Sequence, residues 1–442
     1  PRSLGPNCQP VKHLLVILTL LLPVLARGQG AGSVAVVPTL ADLATRVPSQ
    51  LNPVVQVQGY RAIGDWGAGR PVRYNTTSTN AVDNGCVFAT VTGVGRWEAP
   101  DCDGGRINVR YFGAYGNGTS NDLNYLRAAV AKLVDGSTLY SPPGYTYRIT
   151  DPVYVTNDRV RVEFSGSVLK LVSEDRVPAL RVGPSADVAV SGMNFALDPT
   201  TNRVTGVPIN TFAAGDMLLL YNLIQNPADY YPGQMAFVVS ASGTEMVLDR
   251  FPDTALQVTN ATRFVSPPDG VEVRNLGVDL SEAGDGIGIS AIGRGHVIEN
   301  CRVTGTGTTN DPNYIGIELR GQSITARGNY VNGILDADNT FDRSGYGIFA
   351  AGDGIVVDNN DISDCKHNIS TSERRAVSPR LQILSNRLRL RKDWAALLAH
   401  PGAYLFLGAL DVHANVRTVE IRGDDIQASR LGLSLRNGDF DV

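Results

Sequence analysis

Short runs of alternating apolar and polar residues recur along most of the chain, separated by turns rich in Gly, Asn and Asp. Alternation with a period of two predicts strands that bury one face. The pattern changes at residues 121–136, where Leu123, Leu126, Val130 and Leu133 recur with helical spacing. Asn121 or Ser120 can cap this helix. One amphipathic helix followed only by strands predicts a β architecture with a helix covering one end.

The strand-like runs repeat. The segment IGIELRGQSITARGNYV (315–331) aligns without a gap with YGIFAAGDGIVVDNNDI (346–362), and IGISAIGRGHVIENCRV (287–303) fits the same frame one repeat earlier. Strand patterns that hold while loop lengths vary indicate a β-solenoid. A single coil cannot bury its apolar face alone, so coils must stack, about 4.8 Å apart. We therefore predict an all-β fold built from stacked coils.

Asparagine recurs at one corner of these coils. The predicted column contains Asn275, Asn300, Asn329 (or Gly328), Asn359 and Asn386. Asn and Gly tolerate left-handed backbone angles, and stacked amides can form a hydrogen-bonded ladder. The column is therefore predicted to be structural.

The pattern divides the chain into three parts. Residues 29–105 read as a small N-terminal β module, and residues 106–442 read as the solenoid. Residues 208–266 interrupt the coils with hairpin signals, so they are predicted to form an inserted β-subdomain.

The N-terminal segment 1–28 has the character of a secretory leader. Lys12 and His13 precede the apolar run Leu14–Leu25, and small residues follow it. This run is too short to span a bilayer, which favours a signal peptide at residues 1–28, with an uncleaved N-terminal anchor as the alternative. The remaining sequence has no run apolar enough to cross a membrane. We expect an extracellular or periplasmic protein.

Net charge and cysteine spacing limit the possible partners and disulfides. The 442-residue chain has a formal net charge of −4, so it is a poor candidate for binding nucleic acid. Cys86 and Cys102 are spaced for a disulfide, although two free thiols are the alternative. Cys301 and Cys365 lie two coils apart, about 9.6 Å, which is too far for a disulfide.

One segment resembles a known family. FGAYGNGTSND (112–122), the helix, and LYSPPGYTYRI (139–149) resemble the opening of the pectate-lyase superfamily, with Asn117 and Asn121 where Asp is commoner. The resemblance runs from about Asn108 onward and implies a right-handed parallel β-helix, capped by the helix, that binds or acts on polysaccharide. It leaves the reaction open, because the superfamily contains lyases, hydrolases, epimerases and members without known catalysis. The leading module and the insert look like those of phage-tailspike-like members, which would imply a homotrimer.

The coils offer a candidate groove. With Ile289, Ile317 and Ile348 pointing inward, strict alternation turns the neighbouring glycines outward as a low floor for a sugar chain. The predicted substrate-binding residues are Gly288, Tyr314, Gly316, Gly347, Phe349 and Lys366. The alternative is that the glycines only permit a bend.

The predicted catalytic residues beside this groove are Glu318, Arg320, Asp342, Arg343 and His367. In a lyase, Arg320, Arg343 or Lys366 would take the C5 proton of a uronate. In a hydrolase, Glu318 and Asp342 would be the acid/base pair. His367 can act as a base, but its parity matches Ile287, Ile315 and Tyr346, which alternation places inside, so a packed histidine is the alternative. Glu318 and Arg320 could equally be a solvated ion pair.

Acidic loop residues are predicted to share one rim with Arg343. They are Asp279, Glu282, Asp285, Asp311, Asp336, Asp338, Asp342 and Asp364. Such carboxylates can hold Ca²⁺ or supply acid/base groups, although most acidic loop residues are simply solvated. Three functions stay open: a secreted enzyme cutting acidic polysaccharide, a non-catalytic glycan-binding adhesin, and a purely structural solenoid.

Overall fold

The computed structural model describes most of the chain. The described residues are 34–66, 69–102, 105–198, 200–207, 211–222, 233–250, 256–306, 314–334, 345–371, 378–389, 408–412, 416–427 and 431–435. The predicted leader at residues 1–28 lies outside them. In the described part, no helix combines the length and apolar character needed to cross a membrane.

A small β-sheet domain precedes the coils. Its strands are Ala35–Val37, Val54–Val57, Arg70–Asn75, Val87–Phe88 and Arg96–Glu98, accompanied by the short helix Leu40–Thr45. Leu43, Val55 and Trp97 fill its core. Cys86 and Cys102 form a disulfide with their Cα atoms 5.8 Å apart, so the predicted bridge is confirmed.

Three parallel sheets form the solenoid. Sheet 1 stacks Val153–Val155, Pro178–Val182, Ile287–Arg294, Ile315–Gln322, Tyr346–Asp353, His367–Thr371, Gly408–Val412 and Leu431–Leu435. Sheet 2 stacks Arg106–Asn108, Thr138–Tyr140, Arg161–Glu163, Glu272–Arg274, Val297–Glu299, Thr325–Arg327, Ile355–Asp358, Ser378–Leu384 and Val416–Arg422. Sheet 3 stacks Asn117–Asn121, Thr146–Ile149, Val168–Ser173, Gly277–Ala283, Arg302–Thr304, Tyr330–Asn332, Asp361–Ser363, Arg387–Arg389 and Asp425–Gln427.

The coil register agrees with the sequence repeat. Ile287 pairs with Ile315, and Ile315 pairs with Tyr346, so the strands pair in the frame in which the repeated segments align. Ile289 and Ile317 pack inside the coils, as alternation predicts, in one apolar core that runs along the solenoid.

The predicted helix spans Leu123–Val130 and buries Leu123, Leu126 and Ala129 against the first coils. Short 3₁₀ turns at Pro100–Cys102 and Val109–Phe112 precede it. Asp122 is the residue at its N-cap, but its carboxylate accepts hydrogen bonds from the backbone of Tyr115 and Gly116. Asn121 instead accepts one from the Leu123 N–H, so part of the predicted capping is present.

The insert is a closed antiparallel barrel and is larger than predicted. Its strands are Asp187–Leu197, Arg203–Thr205, Met217–Tyr221, Gly233–Ser242, Glu245–Leu248 and Leu256–Phe264. The range 208–266 contains only the last four of these. The first strand, DVAVSGMNFAL, alternates like a coil strand, and only its pairing with the last strand assigns it to the barrel.

The barrel packs on the outer face of sheet 1. Leu219 and Phe264 of the barrel join Ile287, Ile292 and Ile315 of the sheet in one apolar cluster. Ile287 and Ile315 were expected inside the coils, so that part of the predicted parity is wrong. The barrel supplies an apolar partner for side chains that would otherwise face water.

The asparagines form two neighbouring columns. Asn275, Asn300 and Asn359 stand at the corner with φ between 52° and 53°, which is the turn role that was predicted. The amide ladder itself consists of Asn329, Asn360 and Asn386, and each side chain is about 1% exposed. In each ladder residue Nδ2 donates to a backbone carbonyl, and Asn329 and Asn360 also donate to the Oδ1 of the next ladder residue. The predicted single column therefore mixed a turn column with a buried ladder.

The ladder ends at Asp424, which accepts hydrogen bonds from the backbone N–H and the Nδ2 of Asn386. Its buried Oδ2 has no hydrogen-bond partner in the described structure. Burial raises the pKa of Asp424, and the negative charge of Asp358 raises it further. The hydrogen bonds from Asn386 lower the pKa but do not cancel this increase. A raised pKa in the folded protein means that the native state loses stability as the pH rises through that pKa.

We therefore expect Asp424→Asn to stabilise the protein at neutral pH by about 1 kcal/mol, because an amide extends the ladder and donates where the carboxylate cannot. The gain should shrink as the pH falls through the raised pKa of Asp424, because the carboxyl then becomes protonated. Thermal melts at pH 7 and pH 4 check this, with Asp425→Asn on the neighbouring exposed side chain as control. Equal shifts at both pH values would contradict it.

Candidate functional site

A cavity of about 330 Å³ lies between the barrel and the outer face of sheet 1. We call it the barrel cleft. Its lining residues are Arg176, Pro178, Arg181, Asp187, Leu219, Thr262, Phe264, Ile287, Ser290, Ile292, Tyr314, Glu318 and Arg320. This volume falls at the lower end of the range of small-molecule sites. The cleft contains three of the predicted site residues: Tyr314, Glu318 and Arg320.

Glu318 is a buried carboxylate at the floor of the barrel cleft. It lies in the middle of the strand Ile315–Gln322 and is 6% exposed. Ser290, its register partner on the preceding coil, donates from Oγ to Oε2 at 2.6 Å. Arg320 Nε donates to Oε1 at 2.6 Å. The pairing of neighbouring strands thus places Ser290 beside Glu318. Arg320 reaches Glu318 because residues two apart on one strand point to the same face of the sheet.

Glu318 is ionised despite its burial. Burial alone would raise the pKa of this carboxyl, but the charge of Arg320, the Ser290 and Arg320 hydrogen bonds, and the charge of Arg181 hold the pKa below its usual range. A buried carboxylate kept ionised by specific partners at a cavity is typical of a functional site. Such a group can act as a base, a nucleophile or a stabiliser of positive charge, and it is poorly suited to donate a proton.

Two more arginines and an aromatic ring line the barrel cleft. The Arg181 side chain is 14% exposed and donates from Nη2 to Asp187, the first residue of the barrel. The Arg176 guanidinium lies 3.8 Å from the centre of the Tyr314 ring, with a long contact of 3.5 Å to Asp285. The cleft therefore has more guanidinium groups than carboxylates in its lining, together with two aromatic residues, Tyr314 and Phe264.

The predicted glycine floor is wrong. A Cβ added to Gly316 would lie 2.5 Å from the carbonyl oxygen of Gly347 and 2.6 Å from Cγ1 of Val331, which belongs to the coil interior. Gly288 and Gly347 likewise face interior side chains. Strict alternation fails here because the strand begins at a corner where the backbone of successive coils approaches closely. Packing requires the glycines at these positions, which neither the predicted floor nor the alternative of a bend had anticipated.

Three further predicted residues, Phe349, Lys366 and His367, are described and are not part of the cleft lining. Phe349 is the register partner of Glu318 on the next coil, and its ring is 5.3 Å from the Arg320 guanidinium. His367 is 3% exposed, packs on the Tyr346 ring, and has Nε2 3.6 Å from Oδ2 of the buried Asp411. It is thus a packed histidine.

Lys366, beside His367, is half-buried. Asp342 and Arg343 lie outside the described residues.

The acidic rim is dispersed in the described part of the chain. Glu282 pairs with Lys170, Asp285 contacts Arg176, and Asp279 accepts a hydrogen bond from the Ser281 N–H. Asp364 accepts one from Asn332. The other predicted rim residues, Asp311, Asp336, Asp338, Asp342 and Arg343, are not among the described residues.

No three His, Cys, Asp or Glu side chains of the described ranges are arranged to hold a metal ion. The predicted Ca²⁺ site therefore has no support from them.

Sequence reasoning missed Arg176, Arg181 and Asp187. Arg181 had a signal, because ALRVG (179–183) occupies the same register as GISAI (288–292) one coil later. The repeat is hard to recognise there, since the barrel separates the two strands by a long stretch of sequence. Asp187 had no local signal, because only the barrel places it at the cleft.

Two family models match parts of the chain. A model described as a right handed beta helix region matches residues 267–440. A second, described as a phage tail protein small four-stranded beta-sheet domain, matches residues 36–103 and so coincides with the N-terminal module. No curated protein is significantly similar to the chain.

Solved structures with a similar fold include phage tailspikes and an enzyme. The tailspike gp49 of Pseudomonas phage LKA1 is 17% identical, with a TM-score of 0.48, over 75% of this chain and 59% of that one. The gp54 tailspike of Acinetobacter baumannii phage AP22, in complex with capsular saccharide, is 10% identical, with a TM-score of 0.32, over 79% and 72%. Pantoea stewartii WceF, a glycan biofilm modifying enzyme, is 9% identical, with a TM-score of 0.42, over 92% and 49%.

The chain spans about three fifths of the first of these proteins, as it also does of the phi297 tailspike gp61. Its three parallel sheets stack coil on coil, and the β-helix model matches from the coil after the barrel nearly to the last residue. The helix Leu123–Val130 packs against the first coils, and the small β-sheet domain stands ahead of them. These features identify the fold of the chain as a right-handed parallel β-helix.

Proposed function

We propose that the chain is a polysaccharide-active protein that binds an acidic glycan in the barrel cleft. The observation that carries this proposal is Glu318, a carboxylate that is buried, ionised and open to a cavity beside Arg320. Three guanidinium groups and the Tyr314 ring provide the contacts that acidic sugars favour. Extracellular polysaccharide as a target agrees with the leader predicted at residues 1–28.

We further propose that the reaction is glycoside hydrolysis with Glu318 as a reacting carboxylate. An ionised carboxylate can activate water or stabilise an oxocarbenium-like transition state. Elimination with Arg320 as the base is less favoured, because the neighbouring Glu318 carboxylate stabilises the protonated guanidinium. Hydrolysis needs a second carboxyl group, and Asp342, which was predicted for this role, lies outside the described residues.

The decisive experiment compares Glu318→Gln and Arg320→Ala with matched controls. Glu299 and Arg327 form an ion pair at 2.8 Å on the outer face of sheet 2, away from the cleft, so Glu299→Gln and Arg327→Ala remove the same groups elsewhere. The parent should release reducing ends from an acidic polysaccharide without absorbance at about 235 nm, the wavelength of unsaturated uronate products. Glu318→Gln should lower turnover by about a hundredfold or more while glycan affinity persists.

Arg320→Ala should change the pH profile as well as the rate. Removing this charge raises the pKa of Glu318, so the acidic limb of the turnover profile should move to higher pH. The two control variants should match the parent in turnover, affinity and profile. If Glu318→Gln and Arg320→Ala behave like the controls in every assay, the barrel cleft is not the site.

A non-catalytic glycan-binding adhesin is the second candidate. A cavity lined by arginines and the Tyr314 ring can bind a glycan without catalysing a reaction. If the parent shows no turnover and Arg320→Ala loses glycan affinity, the result would support this function.

Assembly as a homotrimer of the tailspike kind also stays a proposal. Sedimentation analysis of the purified protein tests it.

A further inference from the structure

Arg181 occupies a distinctive place in the barrel cleft. It lies on the strand Pro178–Val182, where it is the register partner of Ser290, and Ser290 is in turn the partner of Glu318. The three residues therefore stand in one outward column, with Arg181 two coils, or about 9.6 Å, from Glu318. Both ends of this column line the same cavity. A ligand in the cleft can contact both.

One hydrogen-bond donor of the Arg181 guanidinium has no acceptor in the described structure. Its Nη2 donates to Asp187, whereas its Nε is buried and has no hydrogen-bond acceptor in the described structure. Leaving a buried charged donor without an acceptor is unfavourable, because the donor has lost the hydrogen bonds that water would make with it. Because this donor faces a cavity, it is a position at which a bound ligand, in place of water, can supply the acceptor.

The environment of Arg181 suits an anion. Asp187 fixes the guanidinium from the barrel side, so the group is held in position before any ligand arrives. Arg176 brings a second guanidinium to the same cavity, where it lies over the Tyr314 ring. Guanidinium groups bind carboxylate and sulfate oxygens through paired, charge-assisted hydrogen bonds.

We propose that Arg181 is the specificity-determining residue of the barrel cleft and binds an anionic substituent, a carboxylate or a sulfate, of the glycan. The sugar unit with this substituent neighbours the unit that contacts Glu318. The inserted barrel contributes to specificity because its first residue, Asp187, orients Arg181. This inference rests on the proposed function and adds to it the chemical class of the recognised group and the residue that reads it.

The test uses the full chain and defined oligosaccharides. The probes are an oligogalacturonate, which has only carboxylates, and a carboxyl-reduced chondroitin sulfate oligosaccharide, which has only sulfates. Their neutral counterparts are the carboxyl-reduced oligogalacturonate and the carboxyl-reduced, desulfated chondroitin oligosaccharide. Affinities are measured by calorimetry for the parent, Arg181→Gln, Arg181→Lys and the control Arg161→Gln. Arg161 is 52% exposed and pairs with Glu272 at 2.9 Å on sheet 2, outside the cleft.

The parent should bind at least one acidic probe more tightly than its neutral counterpart. Arg181→Gln should weaken binding of that acidic probe by about tenfold to a hundredfold and leave binding of the neutral form unchanged. The affinity of Arg181→Lys for the acidic probe should lie between those of the parent and of Arg181→Gln, because lysine keeps the positive charge but lacks the Nε–H donor. Arg161→Gln should match the parent. The probe that responds tells carboxylate from sulfate.

Other outcomes overturn the inference. If Arg181→Gln weakens binding of the acidic and neutral forms equally, Arg181 does not recognise an anion, while the proposed binding of an acidic glycan stands. If the parent binds neutral forms as tightly as acidic ones, the inference fails together with the acidic preference, and only glycan binding in the cleft remains. If the parent neither binds nor cleaves any probe, both proposals fail. Circular dichroism establishes folding of each variant, and Arg181→Lys, which can keep the Asp187 ion pair, carries the test if Arg181→Gln does not fold.

Discussion

A Gly352→Ala variant is expected to lose about 3 kcal/mol or more of folding stability. Gly293, Gly321 and Gly352 stack at the end of successive sheet 1 strands with φ between 140° and 143°, a backbone conformation that residues with a side chain rarely adopt. A Cβ at Gly352 would overlap the carbonyl oxygen of Gly321 on the neighbouring coil. Because that obstacle is backbone, no rotation of a side chain relieves it.

Gly354→Ala is the matched control for this variant. Gly354 lies on the same coil and also has a positive φ, of 64°, but the nearest atom to an added Cβ is Ser323 Oγ at 3.6 Å. Only the backbone penalty of about 1–2 kcal/mol should remain. Apparent melting temperatures at one fixed scan rate should therefore rank the parent first, Gly354→Ala second and Gly352→Ala last. Equal losses in the two variants would show that the coil spacing at this corner is wrong.

An Asn360→Ala variant is expected to lose about 3–5 kcal/mol, because Asn360 is at the centre of the buried ladder. Its Oδ1 accepts from the backbone N–H and the Nδ2 of Asn329, at 3.0 and 2.9 Å. Its Nδ2 donates to the Ala326 carbonyl and to Asn386 Oδ1, at 3.0 and 2.9 Å. Truncation removes these four buried hydrogen bonds and leaves the Asn329 backbone N–H without its acceptor, and water has no access to replace the lost amide.

The neighbouring Asn359→Ala variant separates the ladder from the turn. Asn359 is exposed and at φ 52°, so its replacement should cost only the left-handed backbone penalty of about 1–2 kcal/mol. Limited proteolysis and thermal melts of the two variants measure the difference. A loss in Asn360→Ala no greater than that in Asn359→Ala would show that the ladder contributes little to stability.

The coil register was predictable because its determinants are local and repeated. Ile289, Ile317 and Ile348 recur at spacings that only stacking strands explain, and each coil repeats the same turn chemistry at Asn300 and Asn359. The helix Leu123–Val130 was predictable for the same reason, since its apolar face is complete within three turns. The Cys86–Cys102 bridge followed from short separation in sequence.

The side-chain directions at the start of each sheet 1 strand were not predictable. Alternation assumes a regular strand with water on one side, and here the strands start at a corner and a barrel covers the outer face. Ile287 and Ile315 therefore point outward into an apolar interface, and Gly316 faces the core. The ladder was assigned partly to the wrong residues because Asn359 and Asn360 are adjacent, and only backbone angles distinguish the turn residue from the buried one.

The sequence by itself determined the fold class, the coil register, the capping helix and the two central charged residues, Glu318 and Arg320. Each of these depends on contacts within one coil or between repeats that resemble each other. The tertiary structure alone decided that Glu318 is buried and that Arg181 and Asp187 stand beside it. The physical reason is that the barrel closes on itself and packs on sheet 1, which joins residues from separate strands whose proximity no local pattern encodes.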